Sequence, residues 1–464
     1  MFTQMVHYFY PDLKREEIKK FGLLALTFFF TIGAYWALRL LKDVIFFKYA
    51  FPSDLGWLPN QGALFQPQAK KWSIVVVIAL VAVYTKLIDM FEKHKLFYIL
   101  CTAYAILFTA ITIVLFAQAT LGDAYLGKTV LATMGWVSYF AIESFGSILV
   151  AFFWSFTSSI TVTDAAKRGY PLIIAGAQVG AILGSALNWF SSVFAPWKLF
   201  AVCTLSVVAI MAVISYFMRV IPEEQRVGNK AAHATEKEKE GFFEGLFAGV
   251  RLLLTRRYLL GILIVSTFYE VVNTIVDYQM KAQAGMHPYY ADKAHFQEFL
   301  SMYGMATNTL ALFMALLGTS YLIKRFGLIF GLLFFPTGLG LALGGLYMFF
   351  QGSPTPSALL WATFGVMMLA KGISYAVSNP TKEMMYIPTS KDVKFKAKGV
   401  IDTLGSRAAK AGGSQVSDMF KHSLADLMTY GTLLSFGLIG IWFAAALFVG
   451  RKNAKLTSEG KIVE

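Results

Sequence analysis

The sequence predicts an all-α membrane protein of about twelve transmembrane helices, arranged as two pseudo-symmetric six-helix bundles. Hydrophobic residues fill 57% of the 464 positions and charged ones only 15%, against roughly a quarter charged in a soluble domain. Apolar runs long enough to cross a hydrocarbon core, roughly 20 residues per helix, recur from Phe21 to Gly450. A pattern of small residues in the first half returns at the same spacing in the second.

Taken in order, the apolar runs place spans at 21–48, 72–91, 96–118, 129–162, 170–192 and 196–219, then at 257–281, 297–320, 327–350, 357–386, 399–420 and 427–450. The N-terminal segment before Phe21 has no apolar core followed by a small-residue cleavage site, and it is too acidic and short for a transit peptide. The first span is therefore expected to remain as a signal anchor. Between the sixth and seventh spans, Pro222 to Gly241 is highly charged and almost free of large apolar residues, the composition of a solvated linker. The expected organisation is an N-terminal bundle over 1–220, a cytoplasmic linker over 221–243, a C-terminal bundle over 244–451 and a cytoplasmic tail over 452–464.

The small residues are Gly176, Gly180, Gly184 and Ser185 in the fifth span and Gly405, Ala409, Gly413 and Ser414 in the eleventh. Alone they signify close helix packing; their recurrence signifies duplication. Two related six-helix bundles joined by a cytoplasmic linker is the architecture of the major facilitator class, whose substrate site lies near the midplane between the halves.

A net charge of +14 would suggest nucleic acid in a soluble chain. Here the basic residues cluster in alternate loops: Lys14, Arg15, Lys19 and Lys20, then Lys93 and Lys95, Lys167 and Arg168, the linker, Lys324 and Arg325, the Lys391 to Lys398 group, and Arg451 with Lys452. That side is expected to be cytoplasmic, with both termini in it. No nucleic-acid partner is expected, and the lipid bilayer is. Lys70 and Lys71 break the pattern, since they precede the second span on the opposite side. Cys101 and Cys203 lie inside apolar runs and read as packing residues, with neither a disulfide framework nor a metal site.

A charge inside an apolar span is costly unless it faces a wet cavity or an opposite charge, so each is a functional candidate. The first span carries Arg39, Lys42 and Asp43, and the fourth carries Glu143, with Asp164 at its end. The seventh carries Glu270 and Asp277, and the tenth carries Lys371, Lys382 and Glu383. In the major facilitator architecture these four spans line the central cavity. Arg407 and Lys410 in the eleventh share one helix face. The substrate-binding candidates are Arg39, Lys42, Glu143, Lys382, Arg407 and Lys410; Asp43, Glu270, Asp277 and Glu383 are candidates for gating or proton coupling. A basic cavity implies an anionic substrate, because Lys and Arg give phosphate and carboxylate charge-assisted hydrogen bonds in a low dielectric. The alternative is that Lys42 pairs with Asp43 or Glu143, and Lys382 with Glu383 or Asp277, only to lock helices.

Tyr35, Trp36, Trp154, Tyr278, Tyr375 and Tyr386 lie near these charges and offer faces on which a base can stack, although most membrane aromatics serve packing. Pro380 and Pro388 are expected to break the tenth span around Lys382. Gly122 to Thr129, GDAYLGKT, matches the phosphate-loop pattern formally. It joins two membrane spans rather than a strand and a helix, so it reads as a turn with an interfacial lysine.

The stretch NPTKEMMYIPTSKDVKFKAKGVIDTLGSRAAKAGGS, Asn379 to Ser414, with YWALRLLKD from Tyr35 and IESFGSILVAFFWSFTSSIT from Ile142, resembles the non-mitochondrial ATP/ADP translocase family of intracellular bacteria and plastids. The resemblance covers both halves. It implies a bacterial inner-membrane antiporter that exchanges ATP for ADP by alternating access, with no cofactor and with a monomer sufficient. It also implies that the family's functional residues fall at Lys42, Glu143 and Lys382. The seventh span departs, having Asn273 and then Val276, Asp277, Tyr278 and Gln279 where an acidic residue and a WKSK-like run are expected; Glu270 lies one turn earlier. The alternatives are the same fold moving another anionic or phosphorylated metabolite, a membrane enzyme acting on lipid headgroups, and a nonconducting scaffold.

Overall fold

Long apolar stretches satisfy their backbone groups internally, and the described residues are helical nearly throughout. A computed structural model describes residues 13–226, 242–316 and 320–463. Most of the expected linker, the first twelve residues and the three residues 317–319 lie outside the described residues. Among the described residues of the first half there are six long helices: α1 (Arg15–Lys48), α2 (Gln61–Met90), α3 (Lys93–Leu121), α4 (Asp123–Ser159), α5 (Thr163–Leu187) and α6 (Pro196–Val220). A short helix α7 (Phe242–Thr255) precedes α8 (Arg257–Met286), α9 (Lys293–Leu316) and α10 (Ser320–Gln351). The tenth expected span is α11 (Pro356–Ile373), a π-helical turn (Ser374–Ser378) and α12 (Asn379–Met385). The eleventh is α13 (Lys391–Val400), a second π-helical turn (Ile401–Gly405) and α14 (Ser406–Phe420), and α15 (Leu424–Ser458) completes the order. Among the described residues the only β pairing is an isolated bridge between Thr389 and Val463.

Ten of these helices are long and apolar enough to cross a membrane, among the described residues. The expected spans at 297–320 and 399–420 are not among the ten. The second is polar because Asp402, Arg407, Lys410, Gln415 and Asp418 all fall in it.

The chain forms two compact units, Met1–Gly62 with Val75–Lys237 and Tyr289–Asn308, and Ala63–Ile74 with Glu238–Pro288 and Thr309–Glu464. The first part of α2 thus belongs with the second unit, and the first part of α9 with the first. Within unit 1, α5 packs on α1 through its small residues. A methyl at Gly176 would come within 2.9 Å of the Ala25 carbonyl oxygen, and methyls at Gly180 and Gly184 would meet the Phe29 and Gly33 carbonyls still more closely. Within unit 2, α14 packs on α8 in the same manner, and a methyl at Gly413 would lie 2.6 Å from the Val271 carbonyl oxygen.

Local signals account for several boundaries. Thr355 caps α11 by accepting from the Ala358 amide, with Pro356 in the first turn; Ser390 caps α13 from Val393 and Ser423 caps α15 from Asp426. Pro380 sits in the first turn of α12, directly after the π-helical turn. The tenth span stays helical through the π-helical turn just before it, with Ser374 and Ser378 both right-handed, and Lys382 lies within α12, so the expected break around Lys382 is not found.

Candidate functional site

In unit 1 the site is built on α1 and α4. Arg39, Lys42 and Asp43 share one face of α1 because they lie three and four residues apart. Tyr139 and Glu143 do the same on α4. Lys42 forms an ion pair with Glu143, and its Nζ sits 4.4 Å over the Tyr139 ring, so the buried ammonium meets a charge and a π-face together. Of the partners considered for Lys42, the structure selects Glu143; Asp43 is buried beside it at 3% exposure. Arg39 lies over the Trp36 ring at 4.9 Å, and its Nη1 donates to the Tyr35 hydroxyl at 3.2 Å. Gly146 makes room for the Tyr35 ring, which a methyl there would strike.

In unit 2 the site is built on α8, α11, α12 and α14. Lys382 makes no ion pair with Glu383 or Asp277. It donates to the Ser266 carbonyl at 3.1 Å, and its Nζ lies 5.9 Å from the centre of the Tyr269 ring. Lys371 lies 6.0 Å from the same ring. Phe335 supports Tyr269, with centroids 4.8 Å apart, and Trp442 lies at 6.4 Å. Glu270, next to Tyr269, pairs with Lys410 at 3.9 Å and also feels the charges of Lys371, Lys382 and Lys70. Lys382 in turn feels Glu270 and Asp402. Arg407, one turn before Lys410 on α14, is half-buried.

The remaining candidates fall elsewhere. Glu383 points away from Lys382 and forms an ion pair with Lys398. Asp277 pairs with Lys281 at 2.7 Å and with Lys70 at 3.7 Å. Lys71 pairs with Asp418 at 2.6 Å. Lys70 and Lys71, the misfits of the loop-charge pattern, are therefore matched to carboxylates of their own unit. Trp154 is engaged in aromatic packing with Phe28, Phe153 and Tyr170. The Tyr278 hydroxyl donates to the Ala63 carbonyl at 3.0 Å. Tyr386 is buried and Tyr375 is half-buried in the π-helical turn.

Sequence reasoning missed Tyr269, which organises two lysines, and did not retain Lys371 or Lys70 among its site residues. The available signal was the adjacency of Tyr269 and Glu270 on a span already marked by charge.

Comparison with known proteins supplies the family. The model of the TLC ATP/ADP transporter family matches residues 1–452. The chain is 25% identical over 506 aligned positions to ADP,ATP carrier protein 1 of Chlamydia muridarum, covering 98% of this chain and 93% of that one. It is 26% identical to the chloroplastic ADP,ATP carrier protein 2 of Arabidopsis thaliana, covering 95% and 76%. Among solved structures, a D-xylose–proton symporter aligns with a TM-score of 0.63 at 11% identity, over 92% of this chain and 96% of the other. A bacterial homologue of the iron transporter ferroportin aligns at 0.62 and 13%, over 92% and 99%. At such identities these two speak for the fold alone. The chain is a multi-pass secondary transporter, not an enzyme, and belongs to the TLC ATP/ADP transporter family.

Proposed function

We propose that this transporter exchanges adenine nucleotides, ATP for ADP, by alternating access across a bacterial inner membrane, with both termini in the cytoplasm. The observation that carries the reading lies in unit 2. There Lys410, Lys371, Lys382 and Lys70 all act on one carboxylate, Glu270, so several cations are gathered in one place. Cations gathered at membrane depth are costly until anions neutralise them. A polyphosphate supplies several negative oxygens at once, with strong acceptors for ammonium and guanidinium donors. The substrate-binding residues in this reading are Arg39, Lys42, Glu143, Lys382, Arg407 and Lys410, with Lys371 added. The names of the bacterial and plastid relatives support the choice of nucleotide.

The test is counterflow in proteoliposomes preloaded with ADP and given labelled ATP. Rapid uptake that needs internal ADP, and that falls by about 100-fold in Lys382→Ala, the loss of a charge-assisted contact worth about 3 kcal/mol, is the expected result. Folded protein that takes up no nucleotide overturns the proposal.

A second reading rests on the seventh span. Asn273 stands where the resemblance leads one to expect an acid, and Asp277 where it expects the WKSK-like run; Asp277 is itself occupied by Lys281 and Lys70. The absence from α8 of the lysines of that run favours a less charged phosphorylated metabolite, and the same vesicles with a panel of anions distinguish the two.

A further inference from the structure

The formal phosphate-loop sequence, Gly122 to Thr129, is not used by the transport site. It has helix on both sides, since α3 ends at Leu121 and α4 opens at Asp123. Gly127 adopts a left-handed φ of 74°, which breaks α4 and restarts it at Lys128. The Lys128 ammonium sits 4.1 Å above the Trp57 ring and donates to the Gly56 carbonyl at 3.3 Å. An exposed lysine is thus anchored by two neighbours from the loop after α1 instead of extending freely into water.

Beside this lysine is a cavity of about 490 Å³, walled by Trp57, Lys128, Thr129, Trp136 and Phe140. A second cavity of about 290 Å³ lies between α3 and α4, lined on the α3 side by Leu107, Ile111 and Val114. The two share Thr129, Thr133 and Val137, so they border the same stripe of α4. From Thr129 to Val137 along α4 is roughly 12 Å, less than one leaflet of a hydrocarbon core about 30 Å thick. Side by side along α4, one cavity has a cation and aromatic rings and the other is an apolar trough.

That polarity selects the ligand class. A free phosphate has no use for the trough, and a neutral acyl chain has no use for the anchored ammonium. A molecule with a negative head and a long apolar tail satisfies both, and the tryptophans suit the depth at which headgroups lie. We infer that the cavity at the start of α4, with the α3–α4 groove beside it, binds an anionic phospholipid. The phosphate is held at Lys128 and Thr129, and one acyl chain runs down between α3 and α4.

Native mass spectrometry of the delipidated full chain, with phosphatidylglycerol or phosphatidylcholine added back, tests this. The wild-type protein retains phosphatidylglycerol in preference. Lys128→Ala lowers its retention by about fivefold and removes the preference, the scale expected for one lysine near a lipid surface. Lys128→Arg keeps the preference and shows that loss in the alanine variant is not misfolding. Thr133→Phe, on the stripe that borders both cavities, weakens both lipids alike. Equal retention of phosphatidylglycerol by wild type and Lys128→Ala, or release of the bound lipid by millimolar inorganic phosphate, overturns the inference.

Discussion

Lys42 is held by two neighbours that offer different things: Glu143 neutralises it, and the Tyr139 ring covers it without removing its charge. If the pair only locks α1 to α4, its polarity is immaterial; if Lys42 also receives substrate, the position of the cation matters. The Lys42 side chain is 7% exposed and that of Glu143 is 31% exposed. The carboxylate is therefore only partly buried, and breaking the pair costs less than the roughly 3–5 kcal/mol of a fully buried one. Lys42→Ala and Glu143→Gln are each expected to lower the thermal midpoint of the purified protein and to cut exchange by about 100-fold. The double exchange Lys42→Glu with Glu143→Lys restores the midpoint and leaves transport low; recovery of both would reduce the pair to a helix lock. The chemistry of Lys42 was readable from sequence, because only a few acids lie on spans that can reach it. That of Lys382 was not. Its neighbour Glu383 projects about 100° round the helix, and its actual environment, the Ser266 carbonyl and the Tyr269 ring, comes from two residues more than a hundred positions away.

Between elements, the small-residue stripes are the best example of a pattern legible in advance. Gly176, Gly180 and Gly184 predicted close approach, and they set α5 against the α1 backbone with no room for a methyl. What the stripe could not reveal is its partner, since spacing marks a face and not what meets it. The carbonyls of Phe29 and Gly33 are backbone atoms of a rigid helix and cannot turn aside as a side chain can. Gly184→Ala is accordingly expected to cost about 1–3 kcal/mol, the range for overpacking, seen as a lower thermal midpoint and reduced yield of folded protein. Gly365 on α11 has nothing within 4 Å of the added methyl. Gly365→Ala should be neutral or stabilise by up to about 1 kcal/mol through helix propensity. Similar losses at both sites would mean that backbone flexibility, not contact, decides the outcome. The two π-helical turns, Ser374–Ser378 and Ile401–Gly405, were not legible. Proline marked the neighbourhood of the first, but one extra residue per turn leaves no signature in composition. Lys70 and Lys71 looked like errors of topology for a related reason: the loop-charge rule counts residues by side and is blind to Asp277 and Asp418, which absorb them.

For the whole molecule, the proposed exchange has an electrical consequence that does not depend on which residues line the path. The fixed charges of the protein are the same whether ATP or ADP is bound, so each cycle moves the charge difference between the two nucleotides. One elementary charge crossing a potential of 100 mV is worth about 2.3 kcal/mol, a bias of roughly 50-fold in the equilibrium distribution. Proteoliposomes holding a potassium diffusion potential should therefore accumulate ATP on the positive side, and reversing the gradient should reverse the accumulation. A distribution indifferent to potential would mean that a compensating charge travels with the nucleotide. The proposed carrier in that event is Glu270, in contact with Lys410 and in the field of three further lysines, which would bind a proton as its cations turn to the substrate. In that case Glu270→Gln would convert electroneutral exchange into electrogenic exchange, a change of mechanism that a simple loss of folding cannot mimic.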